Sequence, residues 1–359
     1  MQVRYRVGVT APSAPVSPVE TPAERSAGLP PELSGAAGLD PAWVADTVRR
    51  TLSEDLGGDP GRDVTSQSTI DASSVAVAHL VAREAGVVAG LVLVQEVVDQ
   101  VSERFGLAAV RVDLDVVDGT RVEPGRRLAV LTGPVQVLLV AERSVLNLAS
   151  RASGVATATR AWADRLEGTP ATVLDTRKTT PGLRALEKYA VRAGGGTNKR
   201  MGLYDVAMVK DNHVVAAGSV TAAVRAVRET FPEVVVQVEA DTCEQALEAV
   251  AAGATFLLLD NMTTPVLAET VAAVRAGEER TGRIELEATG NLTLDRAAEV
   301  AGTGVDYMSV GALTHSAPIL DLALDLVARR PARRCPPQPA SSDDQSGPVH
   351  GAWPGPALH

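Results

Sequence analysis

From about residue 170 the chain alternates short Val/Leu/Ile-rich runs with Ala/Leu/Glu-rich helical stretches, and this alternation restricts its fold more than any other feature. The runs predict strands near 172–175, 205–209, 234–239, 255–259, 284–288 and 305–310, with helices between most of them. Such a repeat makes the strands parallel with right-handed crossovers, in a sheet that is either open and doubly wound or closed into a barrel. The polar residues choose between these. Asp175 with Arg177, Lys210, Glu239, Asp260, Thr289 with Gly290, and Ser309 with Gly311 all fall at or just past the C-terminal end of an expected strand. A barrel opens all those ends onto one face, whereas an open sheet brings together only the ends beside its switch point. The fold class is therefore α/β, with an incomplete TIM-like α/β barrel of about six to seven strands.

Residues 73–134 have a different texture. SVAVAHLVA, GVVAGLVLV, AVRVDLDVV and VEPGRRLAVLTG are short alternating runs separated by Gly, Asp-Gly and Pro-Gly signals. They predict an N-terminal α+β sandwich domain over 39–150, with a linking helix from about 141 to about 166. The barrel domain is then 151–330. Residues 1–38 and 331–359 are rich in Ala, Pro and Ser, which predicts a disordered extension at each end.

Charge narrows the partners. The chain of 359 residues carries a net charge of -10, a pI near 5.1 and only 3% aromatic residues, so phosphate backbones are repelled and base-stacking platforms are scarce. Nucleic acid is excluded as a partner, and no run is long and apolar enough for a membrane span. Cys243 and Cys335 show neither metal-ligand spacing nor a disulfide framework, which fits a reducing cytoplasm. Against this acidic background, residues 175–213 hold eight Lys or Arg and four Asp or Glu, an excess of four positive charges. That island points to an anionic substrate. Arg184, Glu187, Lys188 and Arg192 fall at helical spacing and read as a solvated helix face. Arg177 and Lys178 in a Thr/Pro/Gly turn, Lys199 and Arg200 after the triple glycine 194–196, and Lys210 at a strand end read as binding groups on loops.

Eight segments together resemble the quinolinate phosphoribosyltransferase family: EDLGGDPGRDVTS (54–66), ERSVLNLASRASGVAT (142–157), DTRKTTPG (175–182), the glycine-rich run leading to Arg200, KDNH (210–213), LLLDNM (257–262), and EATGNL with SVGALTHS (287–292 and 309–316). The resemblance implies that quinolinate and phosphoribosyl pyrophosphate give nicotinate mononucleotide, pyrophosphate and carbon dioxide, with Mg2+, in de novo NAD synthesis. It places Arg177, Arg200 and Lys210 on the quinolinate carboxylates, where guanidinium forks and ammonium groups supply charge-assisted hydrogen bonds. Lys178 serves the phosphoribosyl or pyrophosphate side. Arg143 reaches the active site of a neighbouring subunit, so a homodimer with shared sites is expected, or a higher oligomer built on it. By residue chemistry alone, Glu142 and Arg143 are also an ordinary exposed pair at a helix start.

Glu239 and Asp260 match the metal positions, and a hard cation takes one or two protein carboxylates besides phosphates and waters. On their own they could equally be strand-end carboxylates bonded to loop amides. Lys178, Lys210, Glu239 and Asp260 are thus the expected catalytic set. GNL (290–292) and VGA (310–312) are expected to begin helices, with Thr289, Gly290, Asn291, Ser309 and Gly311 around the phosphate. Thr289 stands where the family usually has serine. Lys199 stands where it usually has histidine, and is expected to contact a quinolinate carboxylate with a flat pH dependence between about 6 and 8. His213 and His315 are expected to shape loops. Three other readings remain: a phosphoribosyltransferase acting on nicotinate, an aldolase with Lys210 as Schiff-base lysine, and a non-catalytic anion-binding relative.

Overall fold

The structure, a computed structural model, describes residues 38–327. The two expected terminal extensions fall outside the described residues, apart from Gly38.

The first helix, α1 (Pro41–Leu56), begins where the Asp40 carboxylate accepts from the Ala42 N–H at 3.0 Å and ends at Gly57 in the left-handed conformation. After it come β1 (Val75–Ala82), β2 (Gly86–Val87), α2 (Val94–Phe105), β3 (Arg111–Leu114), β4 (Arg121–Val122) and β5 (Arg127–Pro134). Helix α2 buries Val94, Val97, Val98 and Val101, a stripe at the i, i+3, i+4, i+7 spacing of one helical face. The run GVVAGLVLV is not the strand its composition suggests. Only Gly86 and Val87 pair, with β4, and Leu91–Leu93 form a 3-10 turn leading into α2. Its turn is fixed by Asp118, whose carboxylate accepts from the Gly90 and Leu91 N–H groups at 2.9 and 3.0 Å.

A helix of 31 residues follows, α3 (Val135–Arg165). It starts six residues before the periodic pattern does, because Gln136–Val140 is buried almost all round and so shows no amphipathic face. Glu142 and Arg143 consequently sit inside the helix rather than at its start. Small residues along α3 let other segments approach it closely. A Cβ on Gly154 would lie 1.9 Å from the Pro318 carbonyl oxygen, and one on Gly194 would lie 2.4 Å from that of Ala156. The triple glycine is therefore where the chain presses against α3.

The barrel part contains β6 (Thr172–Leu174), α4 (Arg184–Ala193), β7 (Val206–Val209), α5 (Asp211–Ala217), α6 (Val220–Thr230), β8 (Val235–Ala240), α7 (Cys243–Ala251), β9 (Phe256–Asp260), α8 (Thr264–Arg275), β10 (Glu285–Thr289), α9 (Ala297–Ala301), β11 (Tyr307–Ser309) and α10 (Ala312–His315). Its six strands form one parallel sheet in the order β6-β11-β10-β9-β8-β7. Between β6 and β7 the glycine-rich segment fills the gap. Leu174 forms a parallel bridge with Thr197, and Arg200 Nη1 donates to the Val206 carbonyl at 3.2 Å. Leu174, Val206, Phe256 and Tyr307, with Val235 beside them, make a small apolar cluster separate from the main core. Five different strands contribute to it, so it lies inside the curve of the sheet, as the incomplete barrel requires.

The chain then returns to where it began. The last strand among the described residues, β12 (Leu322–Val327), pairs antiparallel with β1, so the N-terminal sheet reads β12-β1-β5-β3. Among the described residues, no helix is long and apolar enough to cross a membrane. Because the Pro318 carbonyl occupies the space beside Gly154, Gly154→Ala is expected to cost about 1–3 kcal/mol through overpacking. Urea unfolding reads this directly, and an unchanged midpoint would show that the Pro318 segment can retreat.

Candidate active site

The C-terminal ends of the barrel strands open into one cavity of about 700 Å³. Its wall includes Thr176, Arg177, Lys178, Lys199, Arg200, Lys210, Glu239, Asp260, Thr289, Gly290, Asn291 and Ser309. Side chains up to 133 residues apart thus share one space, from Thr176 to Ser309. Two expected residues are not in the wall. Gly311 lies just behind it, where a Cβ would meet Lys178 Cδ at 3.0 Å. Arg143 lines a different cleft, with Arg50, Glu54, Asp55 and Asn147.

Arg177 and Arg200 define the cationic side. Burial, and then the nearby positive charge of Arg177, push Arg200 below its usual range. Arg177 Nε is buried without a hydrogen-bond partner. Two guanidinium groups that repel each other, one with an unanswered donor, have the chemistry to receive an anion. Lys210 ends β7, with its N–H donating to His213 Nδ1 at 2.9 Å, and its ammonium is ion-paired with Glu239. His213 therefore shapes this loop, as expected. His315 Nδ1 lies 2.6 Å from Ser316 Oγ.

Glu239 and Asp260 face this receptor from β8 and β9. Burial first, then the negative charges of Glu239 and Asp241, push Asp260 above the usual carboxylate range, and Lys210 only partly offsets them. A crowd of carboxylates of this kind is relieved by a divalent cation, and two of them suit a metal that keeps substrate oxygens and waters as its other ligands. Asn261 and Asn291 complete that rim with left-handed backbones, φ 53° and 48°, and Asn291 Nδ2 donates to Asn261 Oδ1 at 3.1 Å. Residues held in this region at a cavity edge mark a loop whose shape is fixed by its surroundings. The GNL segment does not begin a helix. Helical turns start only at Leu294, because Gly290 and Asn291 are both left-handed. VGA does lead into one, the single turn of α10.

Below the cavity floor is a layer that the sequence conceals. Glu287, fully buried on β10, accepts from Lys199 Nζ at 2.5 Å, from Gln237 Nε2 at 2.7 Å, and from the Ser309 hydroxyl. These donors come from the glycine-rich segment, β8 and β11. Lys199 is 7% exposed, and burial pushes its ammonium down while Glu287 pulls it back up. The lysine standing at the histidine position thus lines the cavity while its ammonium is ion-paired with an interior carboxylate. Ser309 is likewise committed to Glu287.

The reading of α4 as a solvated face is overturned. Glu187 is 0% exposed and Lys188 is 1% exposed. Lys188 is ion-paired with Asp175, also fully buried, and donates to the Lys199 carbonyl at 2.9 Å. Asp175 further accepts from Asn198 Nδ2 at 2.6 Å and from the Lys199 N–H at 2.9 Å. It therefore faces the α4 side and not the cavity. Burial pushes Asp175 up and Lys188 down, and each opposes the other's shift. Helical spacing showed charge on one face of α4. It could not show that β6 lies beneath that face with a matching carboxylate.

With this geometry in place, two family profiles match the chain: "Quinolinate phosphoribosyl transferase, N-terminal domain" over residues 63–153 and the corresponding C-terminal domain over 155–325. The chain belongs to the quinolinate phosphoribosyltransferase family. It is similar to the nicotinate-nucleotide pyrophosphorylase (carboxylating) of Mycobacterium leprae, 49% identical over 281 residues that cover 78% of this chain and 96% of that protein. The probable enzyme of the same description from Bacillus subtilis is 42% identical over 274 residues, covering 76% and 90%. The solved structure of NadC from Streptococcus pyogenes superimposes with a TM-score of 0.75 at 36% identity, covering 81% of this chain and 99% of that one. In each comparison the similarity spans nearly the whole length of the relative.

The buried pair of this family member gives a direct test. Lys188→Met leaves Asp175 as an uncompensated interior charge and is expected to cost about 3–5 kcal/mol in urea unfolding. Adding Asp175→Asn should recover part of that loss, and no recovery would show that packing rather than charge sets the cost.

Proposed function

We propose that this chain is a quinolinate phosphoribosyltransferase, forming nicotinate mononucleotide, pyrophosphate and carbon dioxide from quinolinate and phosphoribosyl pyrophosphate. The observation that carries this reading is the Arg177–Arg200 receptor, with its buried unpartnered Nε, set across one cavity from Glu239 and Asp260. A dicarboxylate needs the first half of that arrangement, and a sugar carbon developing positive charge needs the second.

In this reaction Arg177 and Arg200 grip the carboxylates of quinolinate through paired N–H bonds, and Lys210 adds a third cation. Fixing the ring in this way presents its nitrogen to the anomeric carbon of the second substrate. The nitrogen–carbon bond forms as the bond to pyrophosphate breaks, and the ring becomes a pyridinium. Its C2 carboxylate then leaves as carbon dioxide, and the electron pair stays on C2, stabilised by the adjacent cationic ring nitrogen, until C2 takes a proton. Glu239 and Asp260 are the side chains that would hold magnesium, which supplies charge neutralisation to the departing pyrophosphate. Lys178, with Thr289, Gly290, Asn291 and Gly311, lies on the side suited to phosphate. Ser309 and Lys199 support this surface from below through Glu287.

Arg143 has a different place in this reading. It is exposed on α3, in a cleft that shares no wall residue with the cavity. An arginine so placed can serve the cavity of a second copy in a two-fold dimer, where the same surface is used twice. The reading places the enzyme in the cytoplasm, in de novo NAD synthesis.

The purified protein with magnesium, phosphoribosyl pyrophosphate and quinolinate is expected to release equal amounts of mononucleotide and carbon dioxide. Product from nicotinate but not from quinolinate would reassign the substrate. For the shared site, Arg143→Ala and Lys210→Ala enzymes should each be inactive, and mixing them under subunit exchange should restore activity. Mixtures that stay inactive would place Arg143 outside the partner's site.

A further inference from the structure

The motif ERSVLNLASRASGVAT contains a second arginine, Arg151, that is not in the wall of the active-site cavity and has no part in the reaction described above. It projects from α3 and gathers three acceptors. Arg151 Nε and Nη2 donate to Glu187 Oε1 at 3.0 and 2.7 Å, Nη1 donates to the Ala317 carbonyl at 2.9 Å, and Nη2 also reaches the Thr314 carbonyl. Its guanidinium thereby joins α4 to α10 and the residues that follow it. A planar fork with several donors in fixed directions can hold such a set at once.

Both of the elements so joined hold the turn that carries Arg177 and Lys178. Glu187 accepts from the Thr180 N–H at 3.0 Å and from the Thr180 hydroxyl at 2.6 Å, which fixes the C-terminal end of the turn. The Thr314 hydroxyl donates to the Lys178 carbonyl at 2.8 Å, which fixes its middle. Arg184, one turn before Lys188 on α4, donates to Thr179 Oγ1 at 3.0 Å, and to the Met201 carbonyl at 2.9 Å beside Arg200. The turn itself belongs to no strand or helix, and these contacts tie it to its neighbours, alongside Arg184 Nη2 to the Arg177 carbonyl at 3.4 Å and bonds within the turn such as the Lys178 N–H to Thr176 Oγ1 at 3.1 Å. Arg151 hydrogen-bonds both Glu187 and Thr314.

We propose that Arg151 is a positioning residue for the Arg177–Lys178 turn: through Glu187 and Thr314 it sets where the cations that meet the anionic substrates stand, without touching a substrate itself. The inference rests on the proposed reaction only for the identity of those anions. A residue of this kind acts on binding in the ground state and transition state alike, so its loss raises KM and leaves kcat nearly unchanged. A cation displaced by even a fraction of a hydrogen-bond length loses its pairing geometry.

Thr314→Val removes the hydroxyl that holds Lys178 and leaves the Arg151 contacts to backbone and Glu187 in place. It should raise KM for quinolinate or phosphoribosyl pyrophosphate about fivefold, the factor carried by one net hydrogen bond, with kcat within about twofold. Arg151→Lys keeps the charge against Glu187 but not the fork, and should raise KM further. In both variants amide exchange should quicken across 177–180 while the thermal midpoint of Thr314→Val stays near that of the parent. Unchanged KM values for both substrates, with the midpoint alone lowered, would reduce Arg151 to a structural ion pair and overturn the proposal. If the parent enzyme itself fails to turn over quinolinate, the reaction is wrong rather than the device. In that case, exchange at 177–180 and the affinity for inorganic pyrophosphate decide the proposal: both must change in the variants for it to stand.

Discussion

The cationic half of the cavity depends on one interior ion pair, Lys188 with Asp175. Taking both charges out of water is costly, and the cost is offset only because the remaining hydrogen-bonding capacity is used. Asp175 accepts from the Asn198 amide and the Lys199 N–H as well as from Lys188, and Lys188 also donates to the Lys199 carbonyl. The pair therefore grips the backbone of Lys199 from both sides. That segment bridges the gap between β6 and β7 and delivers Arg200 to the cavity. The pair thus adds to the α3 contacts of the glycines and the Thr197 bridge to Leu174 in fixing the course of the glycine-rich run.

A second interior carboxylate, Glu287, does for the floor what Asp175 does for the wall. It draws donors from three separate elements into one point inside the barrel. Buried polar networks of this type specify one arrangement strongly, because any alternative leaves a charge unpaired. The site is thus layered: an apolar cluster at the bottom, a neutralised polar layer above it, and charges left open only at the rim. At the rim the guanidinium groups of Arg177 and Arg200 stand on one side, and Asp260 with the Lys210–Glu239 ion pair stands on the other.

Much of this was legible in the sequence. Strand positions in the barrel followed from apolar runs flanked by helical ones, since parallel strands covered on both faces show their burial in composition. The rim residues were legible for a related reason, because chemistry at barrel strand ends stands next to an apolar run. What remained hidden needed three dimensions. Glu287 sits in the segment EATGNL, but nothing local says that its side chain points inward to Lys199. Glu187 and Lys188 carry the spacing of a solvated face, and only the neighbouring strand and α3 turn that face into interior. Arg151 was unremarkable among the small residues of its motif. The start of α3 was missed because a helix buried on all sides has no periodic face to display.

The pairing of β12 with β1 bears on how the chain is made. Strand β1 is central in its sheet, yet one of its two neighbours lies about 240 residues later, at Leu322–Val327. While the barrel is still being synthesised, β1 carries an open edge, and unpaired edges invite pairing with other chains. Any chain that stops before residue 322 would keep that edge permanently. A product truncated before β12 is therefore left with an unpaired strand edge in its N-terminal sheet, far along the chain from the lesion.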